Sequence, residues 1–277
     1  MRNHHFILQA CVVLGLFAVP SASAQQSLQV RANRWLRVTE LTGNVRYQTG
    51  GTLEPAAVGD RLQRVGDGLR TGGNSTAVLD MDMAIGSVSV APNTVLQIQQ
   101  LTTTSDGARL TRINVTEGHA QLRVRRFTNP NSTLEIETPA GVAAVRGTDF
   151  GFNVDQEGLM SLATVDGQVW VEAQGNGVSV NPGFQTLVIP GFPPEPPQPI
   201  ATELYFRPRV ITDNGNGTAE IVGFVPPGTL IYVRGQSHGL TTTGHIDITA
   251  PISSNRRVPI TLQAPSGTQQ TYQIAIP

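Results

Sequence analysis

From Leu36 onward the chain alternates apolar and polar residues in short stretches: Leu36-Arg37-Val38-Thr39, Ala77-Val78-Leu79-Asp80-Met81-Asp82, Val95-Leu96-Gln97-Ile98-Gln99 and Leu134-Glu135-Ile136-Glu137. A period of two is that of a β-strand with one face in a core and the other in water. Turn signals separate the stretches at Thr42-Gly43-Asn44, Gly72-Gly73-Asn74, Pro92-Asn93, Ser105-Asp106-Gly107, Asn129-Pro130-Asn131 and Asp166-Gly167. The strands are therefore predicted to be short and numerous, and the chain all-β.

One local pattern recurs around Gly43 (Val38 to Tyr47), Gly118 (Val115 to Val124) and Gly167 (Ala163 to Val171). Each places a glycine, free to reach positive φ, between two alternating stretches, which reads as a family of related hairpins. The glycines are unevenly spaced, which argues against a strict repeat array. A rolled or coiled, β-solenoid-like sheet over residues 25–189 is predicted instead.

Residues 190–199 read Pro-Gly-Phe-Pro-Pro-Glu-Pro-Pro-Gln-Pro. With so few amide donors they favour polyproline II, and residues 190–200 are expected to form a semi-rigid linker. Residues 201–277 resume alternation, with a tight-turn signal at Asn214-Gly215-Asn216-Gly217. About six strands in that length predict a small β-sandwich, immunoglobulin-like in the loose architectural sense.

Before the first alternating stretch, Arg2 is followed by the apolar run Phe6 to Val19, then Pro20 and Ala22-Ser23-Ala24. This is the pattern of a cleavable secretory signal over residues 1–24. Export to the periplasm or beyond is expected, with no membrane span after cleavage, since no later apolar run approaches ~18 residues. The single cysteine, Cys11, sits inside the signal. A disulfide framework, a thiolate metal site and a cysteine nucleophile are thereby excluded from the mature chain.

Charge narrows the function further. Charged residues make up 14% of the chain, all 19 basic residues are arginine, and the formal net charge is -1. Lysine chemistry is excluded, and nonspecific nucleic-acid binding has no electrostatic support. His119, His238 and His245 show no metal-ligand spacing and no Gly-x-Ser-x-Gly elbow occurs, so neither a cofactor, a metal nor a serine nucleophile is expected.

Gly66-Asp67-Gly68-Leu69-Arg70-Thr71-Gly72, Glu117-Gly118, Thr138-Pro139-Ala140-Gly141-Val142-Ala143-Ala144-Val145-Arg146-Gly147-Thr148-Asp149-Phe150 and Val165-Asp166-Gly167-Gln168-Val169 fall in order along the chain. Together they resemble a FecR-type domain over roughly residues 59–172. The resemblance implies an exported β-rich binding module without catalysis, best known from a transmembrane regulator that senses a loaded outer-membrane receptor and signals to a sigma factor. A cleavable signal in place of an anti-sigma segment and membrane helix implies a stand-alone form. Within the motif, Thr138, Pro139, Gly141, Val145, Gly147, Thr148 and Phe150 are expected to be structural.

Binding candidates follow from charge and spacing. Arg146 and Asp149 flank the bend at Gly147, where Arg146 either offers a guanidinium fork to a partner carboxylate or clamps Asp149 or a carbonyl internally. Arg123 and Arg125 share a strand face in the most basic stretch of the chain, with Arg109, Arg112 and Arg126, and either bind an anionic partner or form a solvated face. Asp80 and Asp82 share a face as well, but alternation produces such pairs routinely. The expected function is a non-enzymatic FecR-like binding or scaffolding protein of the bacterial envelope, whose partner is an envelope protein or cell-surface polymer. The alternative is a carbohydrate-active or polysaccharide-binding protein on a β-scaffold, using Asp80, Asp82, Asp149 or Asp155.

Overall fold

The computed structural model describes residues 34–82 and 84–277. The signal expected over residues 1–24, with Cys11, lies outside the described residues. Among the described residues there is strand and turn and no helix, as the alternation predicts.

The strands before the proline-rich segment are β1 (Leu36–Thr42), β2 (Val45–Thr49), β3 (Thr52–Pro55), β4 (Arg61–Leu62), β5 (Gly68–Thr71), β6 (Thr76–Met81), β7 (Gly86–Val90), β8 (Val95–Thr103), β9 (Arg109–Val124), β10 (Thr133–Glu137), β11 (Val142–Val145), β12 (Asp149–Val154), β13 (Met160–Asp166), β14 (Val169–Ala173), β15 (Asn176–Val180) and β16 (Phe184–Val188). The remainder are β17 (Gln198–Pro199), β18 (Arg207–Asp213), β19 (Thr218–Phe224), β20 (Leu230–Val233), β21 (Gln236–Leu240), β22 (His245–Pro251), β23 (Arg257–Gln263) and β24 (Gln269–Ala275).

The first seventeen pair into two rows. One runs β4-β1-β6-β7-β9-β12-β13-β16-β17. The other runs β3-β2-β5-β8-β9-β10-β11-β14-β15. Their inward side chains, among them Leu36, Leu79, Leu122, Phe150 and Leu162 from one row and Leu69, Leu96, Ile113, Ile136 and Val171 from the other, form one continuous buried cluster. Every pairing is antiparallel except that of β9 with β10.

The chain winds around this core by changing rows at its glycine corners, and here the hairpin expectation is corrected. At Gly43 the chain passes from β1, paired with β6, to β2, paired with β5, and at Gly167 from β13, paired with β12 and β16, to β14, paired with β11 and β15. The flanking strands belong to opposite faces of the core and never pair with each other. Gly118 is not a turn at all. It lies inside the 16-residue β9, whose first part pairs with β8 and β10 and whose last part pairs with β7 and β12. Its φ of 103° bends the strand from one row into the other, and a Cβ there would overlap Thr94.

Residues after 200 form a three-stranded sheet, β18-β19-β22, and a four-stranded sheet, β21-β20-β23-β24, around a second core that includes Ile221, Ile248, Val258, Ile260 and Leu262. The strand absent from the sequence reading is β21, because Gln236-Ser237-His238-Gly239 carries no alternation to reveal it. Asn214 to Gly217 forms the turn between β18 and β19, as expected. The proline-rich residues lie along β16: Glu195 N donates to Leu187 O at 2.9 Å, and Gln198–Pro199 pairs with Phe184 and Gln185.

Residues 33–277 make one compact unit. The outer face of the first row touches the residues beyond 200 through a buried polar network. Asn153, with 0% exposure, donates from Nδ2 to Gly228 O at 3.0 Å, Gln263 O at 3.1 Å and Ser161 Oγ at 3.2 Å. Its Oδ1 accepts from His119 Nδ1 at 2.8 Å. Ser161 Oγ adds a bond to Gly228 O at 2.7 Å, and Asn93 Nδ2 donates to Gly235 O at 2.6 Å. Gly151 is required where the surfaces meet, since a Cβ would overlap Pro265 O.

Candidate functional site

Strand register assembles a charged line that sequence spacing does not show. Across the first row, Arg37 is opposite Asp80, Asp80 opposite Ser87, Ser87 opposite Arg123, Arg123 opposite Asp149, and Asp149 opposite Asp166. Arg37, Asp80, Ser87, Arg123 and Asp149 point away from the core, because each sits one residue from an inward apolar neighbour such as Leu36, Leu79, Val88, Leu122 or Phe150, and Asp166 is exposed at the end of β13. At about 4.8 Å per strand, positive and negative groups are held on a rigid lattice.

An open cleft of about 390 Å³ lies on this line, lined by Asp80, Ser87, Arg123, Asp149 and Asp166 together with Arg125 and Thr148. Arg123 Nε meets Asp149 Oδ2 at 3.1 Å, and Gln121 Nε2 donates to Asp149 Oδ1 at 3.2 Å. Arg37 meets Asp80 at 3.3 Å. These exposed pairs contribute at most about 1 kcal/mol each to stability. They are available to exchange partners. Thr148 Oγ1, at the cleft wall, is buried and has no hydrogen-bond partner among the described residues.

The structure brings Arg123, Arg125 and Asp149 to one cleft and sends Arg146 elsewhere. Arg146 donates to the carbonyl of Pro130, and Asp149 takes Arg123 in its place. Asp80 and Asp82 do not share a face. After Met81 the chain turns, with φ of 43° at Asp82, and directs that carboxylate inward to Arg34 at 2.6 Å. Arg34 also donates to Thr102 O and Leu110 O, both at 2.9 Å, so the pair closes the end of the core. Asp155 accepts from Leu159 N at 2.8 Å and Leu240 N at 3.1 Å, and burial raises its pKa. Of the four acids of the carbohydrate-active alternative, Asp80 and Asp149 share the cleft, whereas Asp82 and Asp155 lie elsewhere.

Most of the motif residues have packing contacts of their own. Thr138 Oγ1 donates to Gly141 O at 3.0 Å, and a Cβ on Gly141 would lie 2.5 Å from Glu172 O. Val145 and Phe150 are core residues, and Phe150 stacks on Phe152 with ring centroids 6.3 Å apart. Pro139 lies against Gly158, and Gly147, with φ of 139°, lies against the backbone of Arg126. Ser87 and Asp166 escaped the sequence reading as site residues, since only register places them beside Arg123 and Asp149.

At the junction with the residues beyond 200, His119 is 5% exposed, and burial lowers its pKa to about 4. Asn153 spends its amide protons on other acceptors, so Nδ1 of His119 carries the proton of their shared bond. Nε2 is then left facing the Gln263 amide at 3.5 Å. The network holds the neutral imidazole.

Comparison with known proteins adds the following. Residues 67–170 match the family model described as FecR protein. No curated protein matches the chain. Two crystal structures of a candidate anti-sigma factor from Parabacteroides distasonis ATCC 8503 are similar in part, at 20% and 23% identity with TM-scores of 0.35 and 0.34. Each likeness covers 41% of this chain and 51%, about half, of the other. The FecR-type resemblance read over residues 59–172 is thus found again over residues 67–170, a span that contains every residue lining the cleft.

Proposed function

We propose that the chain is an exported, non-enzymatic binding or scaffolding protein of the bacterial envelope. In this reading a coiled, solenoid-like FecR-type module and an immunoglobulin-like sandwich act as one body, and any signalling passes through a separate partner protein. The three-plus-four antiparallel strand order after residue 200 supports the immunoglobulin-like description. The line from Arg37 to Asp166 carries the proposal, because it offers both signs of charge at fixed spacing, with Asp80, Ser87, Arg123, Asp149 and Asp166 inside the matched family span. Complementary charge selects partners and sets register more than it adds raw affinity.

The carbohydrate-active reading is weaker on this geometry. No aromatic side chain lines the cleft among the described residues, and Asp80 and Asp149 each face an arginine. A photo-activated crosslinker placed at Ser87, with Thr271 as a control position, tests the proposal in intact cells. One reproducible protein partner at Ser87 that is absent at Thr271 is expected. Identical products at both positions would refute the cleft as the recognition surface.

A further inference from the structure

A second pocket adjoins the cleft, sharing Ala84 and Arg125 with it. Its volume is about 340 Å³, and its lining includes Arg109, Arg125 and Arg126 with Phe127, Ile85 and Asn129. Volumes above ~300 Å³ are those of small-molecule sites. The ion pairs among the described residues occupy Arg34, Arg37, Arg112, Arg123 and Arg256, which leaves these three guanidiniums without a carboxylate. No acid is missing from that census, since residues 1–33 and Met83 contain neither Asp nor Glu.

Asp106, the neighbour in sequence of the lining residue Gly107, is already engaged. It accepts from Thr104 Oγ1, from Asn131 Nδ2 at 2.8 Å and from Ala108 N at 3.4 Å, and the Thr104 bond, then the Asn131 bond, lower its pKa to about 2. The rim backbone is fixed as well: Arg125 N donates to Ile85 O and Phe127 N to Arg146 O, both at 2.9 Å. Three arginines lining one pocket, none paired with a carboxylate, call for an oxyanion, which guanidinium binds in bidentate fashion. Phe127 and Ile85 supply an apolar wall suited to the face of a ring, and Thr128, Asn129 and Ser132 supply polar atoms suited to hydroxyls.

We infer that this pocket binds an acidic sugar unit, its carboxylate or phosphate on the arginines and its ring against Phe127. The site differs from the partner cleft, and its test on purified protein is independent of any partner.

Titration calorimetry with trigalacturonate, glucose 6-phosphate, inorganic phosphate and maltotriose reads it directly. Trigalacturonate or glucose 6-phosphate should bind, which distinguishes carboxylate from phosphate as the preferred group, and binding should weaken as salt rises. Arg125→Gln and Arg126→Gln should each lower the association constant about tenfold, as expected for loss of one charge-assisted hydrogen bond. Arg257→Gln, on a distant strand, should not. Equal binding of maltotriose or of inorganic phosphate, no binding of either acidic sugar, or indifference to both pocket substitutions would overturn the inference.

Discussion

Acid should weaken the junction between the first strand row and the residues beyond 200, and His119 sets the amount. Its folded pKa of about 4 lies below the ordinary 6.5 because the ring is buried. Above about pH 6.5 both folded and unfolded chains hold it neutral, and the full stability is present. As pH falls from there toward 4, the unfolded chain takes a proton that the folded chain refuses, so stability is lost across that window. The difference between the ordinary 6.5 and about 4 corresponds to about 3 kcal/mol. Protonation at Nε2 would also set a donor against the Gln263 amide. Asp155 acts in the opposite sense, since its raised pKa makes the folded chain the better proton acceptor as pH falls toward its ordinary value. A single-site comparison is therefore needed. His119→Asn keeps a donor near the Nδ1 position and removes the titration. Urea unfolding followed by circular dichroism between about pH 7 and about pH 4 should show wild type losing about 3 kcal/mol more than the variant. Parallel pH profiles for the two proteins would refute the buried-neutral assignment.

Three further outcomes follow from the packing. Arg34→Met leaves the Asp82 carboxylate buried without its partner and should cost about 3–5 kcal/mol in thermal unfolding, with part regained in the Arg34→Met/Asp82→Asn double variant. Gly151→Val should displace the residues beyond 200, read as faster proteolysis within residues 190–200 while the first core still unfolds cooperatively. Arg123→Ala and Asp149→Asn should each change stability by less than about 1 kcal/mol in a urea titration, because their pair is solvent-exposed.

The alternation of Leu134-Glu135-Ile136-Glu137 and its counterparts gave away the strands, since a period of two leaves no other regular structure. The glycines at 43, 118 and 167 were legible as positions of unusual backbone, but not as corners. A corner and a hairpin share the same local chemistry and differ only in which distant strand completes the pairing. The same holds for the site. Arg123 and Asp149 stand out as charges, yet their meeting with Ser87, Asp80 and Asp166 depends on registers across β6, β7, β9, β12 and β13 that no local pattern encodes. Asp82 was misplaced because strict alternation was extended one residue beyond Met81, where positive φ ends the strand.

The proposed recognition uses the charged line of the outer sheet face. Crosslink yield from Ser87 in cells carrying Arg123→Asp, Asp149→Arg or both tests it. Each single inversion should abolish the partner crosslink while the thermal midpoint stays near that of wild type, because the groups are exposed. Undiminished crosslinking in all three variants would rule out recognition by this line.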